Sequence, residues 1–497
     1  MNLIPNKPGT TPNYYCTWEA QNNIDDPKRG LYHEQLEGQE GAKLARYSLN
    51  DDIVFGEDGL ALQYEKARED LYFVLDDGWD VPLDVHSDTQ RHEFGSLLLN
   101  EERFPSCSGS PEVRLAKMNE RIKSLGWKGV GLWVASQAQG EPARGVLSNN
   151  QAIEYWTQRL EWCRFAKIEY WKVDWGHHAD SIEFRQMLTD LGKKIYPELL
   201  IEHCRCMSPT NNSPDGRFVN WEPDVSKAIE TLAISDVLRS YDVTGQLAVA
   251  TTLDRLAVLL QGKVKSGLRG IINCEDELYL GAALGCAFGV MRTKRNKIHK
   301  KFDEVTRASK WQRIAPAFGV TESTVYIGGD IGFDSWYFKP GDSWAVELTH
   351  TEVKQGAPIA ISRGLPLPRF DGVGNEAPFV VAAKNPNGAT SIATLPRAFK
   401  SYTETPLCNI SLDVGGIDHP VGIFGHYGQL TLNFDHDIND KSIFAQDLAG
   451  DEARDITRMV AVNNNQLTIT GDVIAKIGLS CASAGDPSDP GLVLVVR

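Results

Sequence analysis

Along the first two-thirds of the chain, short apolar runs alternate with longer stretches of helical period, the pattern of βαβ units. Tyr14–Glu19, Leu71–Leu75, Gly129–Ala135, Glu169–Val173, Leu199–Glu202, Val237–Arg239 and Gly270–Asn273 read as strands, and Phe288–Arg292 is the candidate for an eighth. Helices are expected over Val113–Leu125, Gln151–Phe165, Ser181–Ile195, Val225–Ile234 and Leu247–Leu260, with a last one over Asp303–Ala315. The basic run Thr293–Lys301 reads as a solvated loop. After about Ala317 the helical period stops. Alternating segments such as Ser343–Thr349, Phe379–Ala383, Gln429–Phe434 and Gln466–Thr470 then stand between Gly, Pro, Asn and Asp. The fold class this predicts is α/β: a catalytic TIM (β/α)8 barrel over residues 1–316, followed by a C-terminal antiparallel β-sandwich domain over 317–497.

Length agrees, because a barrel takes about 250 residues and the chain has 497. The net charge of −15 argues against a nucleic-acid partner and against an anionic membrane surface. No run of ~18 apolar residues is present, so no membrane-spanning helix is expected. Nine cysteines without a CxxC pair suit a reducing compartment, and the first residues lack a signal pattern. A cytoplasmic location is therefore expected, with secretion after loss of a leader as the alternative. Neither GxGxxG nor a P-loop follows a strand, so no cofactor is expected.

Catalysis in a TIM barrel sits at the C-terminal strand ends. Four such ends are acidic: Asp76-Asp77-Gly78-Trp79, Lys172-Val173-Asp174-Trp175, Arg239-Ser240-Tyr241-Asp242 and Cys274-Glu275-Asp276. A single aspartate after a strand is more often a helix N-cap. Four converging on one mouth, with tryptophans able to stack on a sugar ring beside them, point to carbohydrate chemistry. Glycoside hydrolysis needs a carboxylate on one face of an oxocarbenium-like centre and a proton for the leaving oxygen. In retaining enzymes the two carboxyls stand ~5–5.5 Å apart. Lys172, two residues before Asp174, would favour the ionised nucleophile. Trp79 and Trp175 read equally well as core plugs.

The string LNDDIVFGEDGLALQYEKAREDLYFVLDDGWD resembles the first helix and second strand of clan D glycoside hydrolases, the α-galactosidases of families 27 and 36. Arg103-Phe104-Pro105, Leu125–Trp133 and Lys172-Val173-Asp174 continue that resemblance in the same order, over roughly residues 14–290. It implies a retaining exo-glycosidase for terminal α-linked galactose, with Asp174 as nucleophile and Asp242 as acid/base. It also implies that Asp76 and Asp77 hold the hydroxyls at carbons 4 and 6 of the sugar. Trp18, Trp133, Lys172, Cys204, Arg239 and Asp276 would complete the pocket, with Arg205 where the family carries an acidic or small residue that reads position 2. The substrate partner implied is an oligosaccharide or glycoside, and no metal is required.

Three departures leave the sugar open. Arg239 and Asp242 are spaced R-x-x-D where the family has R-x-x-x-D, so Asp236 is a fallback acid. Arg205 would pair internally with Glu202 or Glu275, or else meet an unusual substrate. The strand-seven string, D-P-D-M-like in the family, is here Cys274-Glu275-Asp276-Glu277, which implies a remodelled pocket. N-acetylgalactosamine and β-L-arabinopyranose are the alternative sugars on the same scaffold. Rival readings are a metal-dependent hydrolase using His177, His178 and His203, and a barrel that binds sugar without turnover.

Overall fold

The computed structural model describes residues 1–22, 46–85, 88–205, 222–240, 245–292, 301–339, 352–372 and 374–497. Asp242, the strand expected over Ser343–Thr349 and all of the basic run except Lys301 lie outside the described residues.

Eight strands form one sheet: β1 (Tyr14–Cys16), β2 (Tyr72–Leu75), β3 (Gly129–Val134), β4 (Tyr170–Val173), β5 (Leu200–Cys204), β6 (Val237–Arg239), β7 (Ile271–Asn273) and β8 (Gly289–Val290). They are hydrogen-bonded in the order β7-β6-β5-β4-β3-β2-β1-β8, and every pairing is parallel. A parallel bridge between Asn273 and Ala287 brings the chain before β8 back to β7, so the sheet closes on itself. The helices described along the barrel region include α1 (Trp18–Asn22), α2 (Asp51–Phe55), α3 (Pro111–Ser124), α4 (Asn149–Ala166), α5 (Ile182–Ile195), α6 (Glu222–Ala233), α7 (Ala248–Leu259), α8 (Leu278–Leu284) and α9 (Asp303–Ile314). This is the (β/α)8 architecture expected from the alternation.

Two local expectations change. The first strand ends at Cys16 rather than Glu19, because Thr17 starts a helical turn: its carbonyl accepts from Gln21 N at 2.9 Å. Trp18 therefore lies on α1 and not on a strand. The helix expected before β2 is only Asp51–Phe55, capped by the Asn50 side chain and stopped at Gly56, and short 3-10 turns fill the rest.

The two faces of each strand have separate partners. Tyr15, Phe73, Leu75, Val130, Leu132, Trp171 and Val173 pack outward with the helices in the main core. Tyr14, Cys16, Tyr72, Val74 and Tyr170 form a smaller cluster inside the barrel. Gly131 is needed there, since a Cβ would stand 2.8 Å from Val74 and 3.3 Å from Tyr170.

In the C-terminal region an eight-stranded and a five-stranded sheet share one core. Val380, Ala382, Ile392 and Ile423 meet Ile410, Leu412, Leu430, Leu432 and Leu467 across it, a sandwich. The sheets are mixed: Ala360–Arg363 runs parallel to Phe379–Lys384, and Asn409–Gly415 runs parallel to Gln429–Phe434. A third, four-stranded sheet of Ile331–Tyr337, Glu352–Pro358, Arg397–Lys400 and Tyr402–Glu404 packs beside α7. Barrel and sandwich are joined by apolar packing and by a buried ion pair from Arg307 on α9 to Asp447, Nε to Oδ1 at 2.9 Å.

Candidate active site

Inward positions of β1, β2 and β4 bring three polar groups together at the mouth of the barrel. Lys172 Nζ meets Asp76 Oδ2 at 2.8 Å, and the Cys16 thiol donates to the same oxygen at 2.9 Å. Asp76 Oδ1 accepts from the Asp77 N–H at 2.8 Å, while Thr17 Oγ accepts from Asp76 N at 3.0 Å. Burial alone would lower the Lys172 pKa, but Asp76 beside it holds the ammonium well above its usual value. Lys172 and Asp76 are both buried, so removing either would leave the other without this ion-pair partner in a dry site.

Asp174 follows β4, and its N–H continues the ladder to Val134 O at 2.9 Å. Trp133 Nε1 donates to its Oδ2 at 3.1 Å and Arg239 Nη2 to its Oδ1 at 3.3 Å. The carboxylate keeps about a fifth of its surface open, with a side-chain exposure of 21%. Burial pushes its pKa up, but Arg239, Lys172 and the Trp133 hydrogen bond outweigh that and hold it below the usual carboxylate range. The chain behind Asp174 is fixed by Ser136 Oγ donating to its carbonyl at 2.8 Å. Gly176 (φ +154°) permits that approach, because a Cβ there would stand 2.7 Å from the Ser136 backbone.

Asp77 turns to a different wall. Arg46 grips both of its oxygens, Nε to Oδ1 at 3.0 Å and Nη2 to Oδ2 at 2.9 Å, and Trp175 Nε1 donates to Oδ2 at 3.2 Å. Arg46 lies over the rings of Phe94 at 4.9 Å and Trp175 at 5.6 Å, while Arg91 lies over Trp175 at 5.2 Å. Trp175 is thus half-buried and engaged by two guanidinium groups. Trp79 is a core residue, donating to Trp133 O at 2.8 Å from full burial.

On the other side of the mouth, Arg239 Nε pairs with Glu275 Oε1 at 3.0 Å. Glu202 is buried inside the barrel and accepts from Tyr170 at 2.8 Å, Tyr14 at 3.1 Å and Asn273 at 2.6 Å. Cys204 lies above it, its thiol donating to Glu202 at 3.5 Å. Arg205 does not pair with Glu202 or Glu275 as expected. Among the described residues it forms an ion pair with Asp180, from the turn after β4, while Glu202 faces inward to the tyrosines and Glu275 faces Arg239. Asp276 is held by Arg292 Nε at 2.7 Å and accepts from Met291 N at 3.3 Å, tying the ends of β7 and β8 together. Trp18 is half-buried against the inner cluster of Tyr14 and Cys16.

Asp236 precedes β6 at the opposite, N-terminal end of the barrel, where Lys193 near the end of α5 meets it at 2.7 Å. It stands away from Asp174 and leaves the fallback role. The three histidines of the metal reading are not brought together. His203 points to the outer face between Arg185 and Thr189, at 3.3 and 2.9 Å, and burial holds its pKa well below the usual value. His178 instead meets Glu141 at 3.2 Å and stacks on Phe184.

Reasoning from the sequence missed Arg46, Cys16 and Phe94. Cys16 was within reach, as an inward position two residues after Tyr14 on β1. Phe94 stands in irregular chain, and Arg46 in a helical stretch, residues 46–48, that the sequence reading did not expect.

No protein-family profile matches the chain, and no curated protein sequence matches it. Among solved structures it is similar to α-galactosidase I from Mortierella vinacea, with 12% identity and a TM-score of 0.40 over 98% of this chain and 96% of that one. It is also similar to a variant of a glycoside hydrolase family 27 β-L-arabinopyranosidase from Geobacillus stearothermophilus in complex with arabinose, with 12% identity and a TM-score of 0.39 over 90% and 94%. A third likeness is to the α-galactosidase of Saccharomyces cerevisiae with raffinose, with 10% identity and a TM-score of 0.35 over 98% and 95%.

Proposed function

We propose that the protein is a retaining exo-glycoside hydrolase that removes a terminal α-linked galactose or galactose-like sugar by double displacement. Asp174 is the nucleophile and Asp242, which follows β6 in the sequence, is the acid/base. The observation that carries the reading is the Asp174 carboxylate: it stands at a barrel strand end, partly open, kept ionised by Arg239 and Lys172 and oriented by Trp133. A group that attacks an anomeric carbon needs this state at neutral pH. The position of Asp236 at the far end of β6 supports Asp242 as its partner. Lys172, Asp76, Cys204 and Arg239 lie around Asp174 and suit the ring hydroxyls of one sugar, with Trp18 as a wall. No cofactor enters the reaction.

Arg46 favours a second version of the same activity. With both Asp77 oxygens on a guanidinium, that carboxylate is less available to a hydroxymethyl group than the resemblance implies. β-L-arabinopyranose, a related sugar without that hydroxymethyl group, fits the arrangement, whereas N-acetylgalactosamine differs from galactose at carbon 2 and is told apart by the panel below. A barrel that binds sugar without turnover would have less use for a nucleophile held ionised.

The test is a panel of 4-nitrophenyl glycosides: α-galactoside, α-N-acetylgalactosaminide, β-L-arabinopyranoside, α-glucoside and β-galactoside. Turnover of one of the first three, lost in Asp174→Asn, is the expected result. Equal turnover by the variant would remove Asp174 from the mechanism, and silence across the panel would sink the glycosidase reading for these sugars.

A further inference from the structure

The four-stranded sheet beside α7 has two unlike faces. Trp336, Phe338, Val353 and Ala398 turn inward and pack with Leu247 at the start of α7. Ile331, Phe333 and Tyr337 alternate onto the opposite face and are each 46% exposed, and Tyr402 is 54% exposed. Phe333 lies flat across the neighbouring strand: a Cβ on Gly356, its cross-strand partner, would stand 2.9 Å from the Phe333 ring. Phe399, paired with Ser335 on the same face, has its ring 5.4 Å from that of Tyr402 at an angle of 34°. The outcome is a row of rings, two with hydroxyl tips, laid on a sheet with Ser335 and Lys354 between them.

The position of this face matters as much as its composition. Gly245–Leu247 leads into α7 on the barrel side that follows β6, and strand Ile331–Tyr337 touches Gly245–Leu247 directly. Trp336 and Phe338 make that contact, so the Tyr337 end of the row is the end nearer the barrel mouth.

We infer that the aromatic face is a platform for the main chain of a polymeric glycan whose terminal sugar branch enters the barrel. The inference rests on the glycosidase reading for the identity of the ligand. Aromatic side chains with polar tips bury apolar area while keeping a hydrogen-bonding group wet, and a pyranose ring offers an apolar face with hydroxyls at its rim. The area favours this occupant over a second copy of the chain. Large apolar side chains carry ~150–250 Å² each, so four at roughly half exposure offer about 400 Å². A stable dimer needs about 800 Å² per partner.

The experiment compares wild type, Asp174→Asn and the double variant Phe333→Ala/Tyr337→Ala, both of whose substituted side chains lie on the surface. Binding is read as retardation in native gels containing a galactose-branched β-mannan, the unbranched mannan or a β-xylan. Kinetics are read on the branched polymer and on the 4-nitrophenyl glycoside that the protein cleaves. Wild type and Asp174→Asn are expected to be retarded by at least one polymer, and the double variant is not. The double variant should show KM on the polymer raised about tenfold, with kcat on both substrates and KM on the aryl glycoside unchanged. Equal retardation of the double variant, or no retardation of wild type by any of the polymers, overturns the inference. A wild-type dimer that the double variant splits, seen by light scattering, also overturns it. Polymer binding through this face without hydrolysis of any glycoside would keep the platform and sink the glycosidase reading. Hydrolysis of small glycosides without polymer binding would do the reverse.

Discussion

Asp76 and Asp77 follow one another at the end of β2 and are both buried, but their side chains belong to different halves of the pocket. Asp76 joins the floor, where Lys172, Cys16 and, through Lys172, the field at Asp174 meet. Asp77 joins a wall of Arg46, Trp175 and Phe94. The local cause is strand alternation: consecutive residues leave a strand on opposite sides, so one carboxylate faces the barrel axis and its neighbour faces the surrounding loops. On the proposed reading the floor carries the chemistry and the wall decides which sugar fits.

That contrast can be broken from either side. Asp174→Asn should lower kcat by about four orders of magnitude, since the nucleophile is removed while its hydrogen-bonding shape is kept. The unfolding midpoint should change little, because Trp133 can still donate to an amide oxygen. Lys172→Met should act on both rate and stability: it strands Asp76 in a buried site, a loss of about 3–5 kcal/mol, and removes a charge that keeps Asp174 ionised. Denaturant unfolding and a pH–rate profile would check it, with the acid limb due to Asp174 moving up in pH as the Lys172 charge is lost. In the wild type that limb lies below the ordinary carboxylate range.

Arg46→Met should leave kcat on the favoured aryl glycoside within a few-fold and change the ratio of kcat/KM between hexosides and pentosides by about tenfold. If instead it lowers kcat as much as Lys172→Met does, the floor and the wall are not separate.

The smallest effect concerns Asp80, just beyond the wall. Its Oδ2 accepts from Leu97 N at 3.1 Å and from Ser96, and burial raises its pKa to about 6. Because the folded value lies above the unfolded ~3.9, its contribution to stability is fully present below pH ~4 and is lost as pH rises through about 6. Asp80→Asn should flatten that slope between pH 4 and 6, read from thermal unfolding at fixed ionic strength. An unchanged slope would show that Asp80 is not the group responsible.

Much of this architecture was legible because it depends on period. Strands β2 to β7 and helices α3 to α5 carry alternations that point to one partner each, and they stand within one or two residues of expectation. The acidic strand ends were legible for the same reason, since a barrel fixes where a strand end must lie. The partners of those acids were not. Arg46 reaches Asp77 from a short helical stretch, and Asp180 reaches Arg205 from a turn, and the placement of both follows tertiary packing rather than any repeat. The split between Asp76 and Asp77 was equally hidden, since a doubled aspartate in sequence says nothing of which cation each will meet. The few parallel pairs within the largely antiparallel C-terminal sheets were not legible, because alternation marks a strand and its buried face, not the direction of its neighbour.

The most direct test of the central claim is to trap the reaction on the nucleophile. Wild-type protein is incubated with a fluorinated, slowly hydrolysed donor of the sugar identified by the glycoside panel, digested, and its peptides sequenced by mass spectrometry. The account predicts a single glycosyl ester on Asp174, absent in Asp174→Asn. A label on another carboxylate, or release of product with inverted anomeric configuration and no label at all, would contradict it.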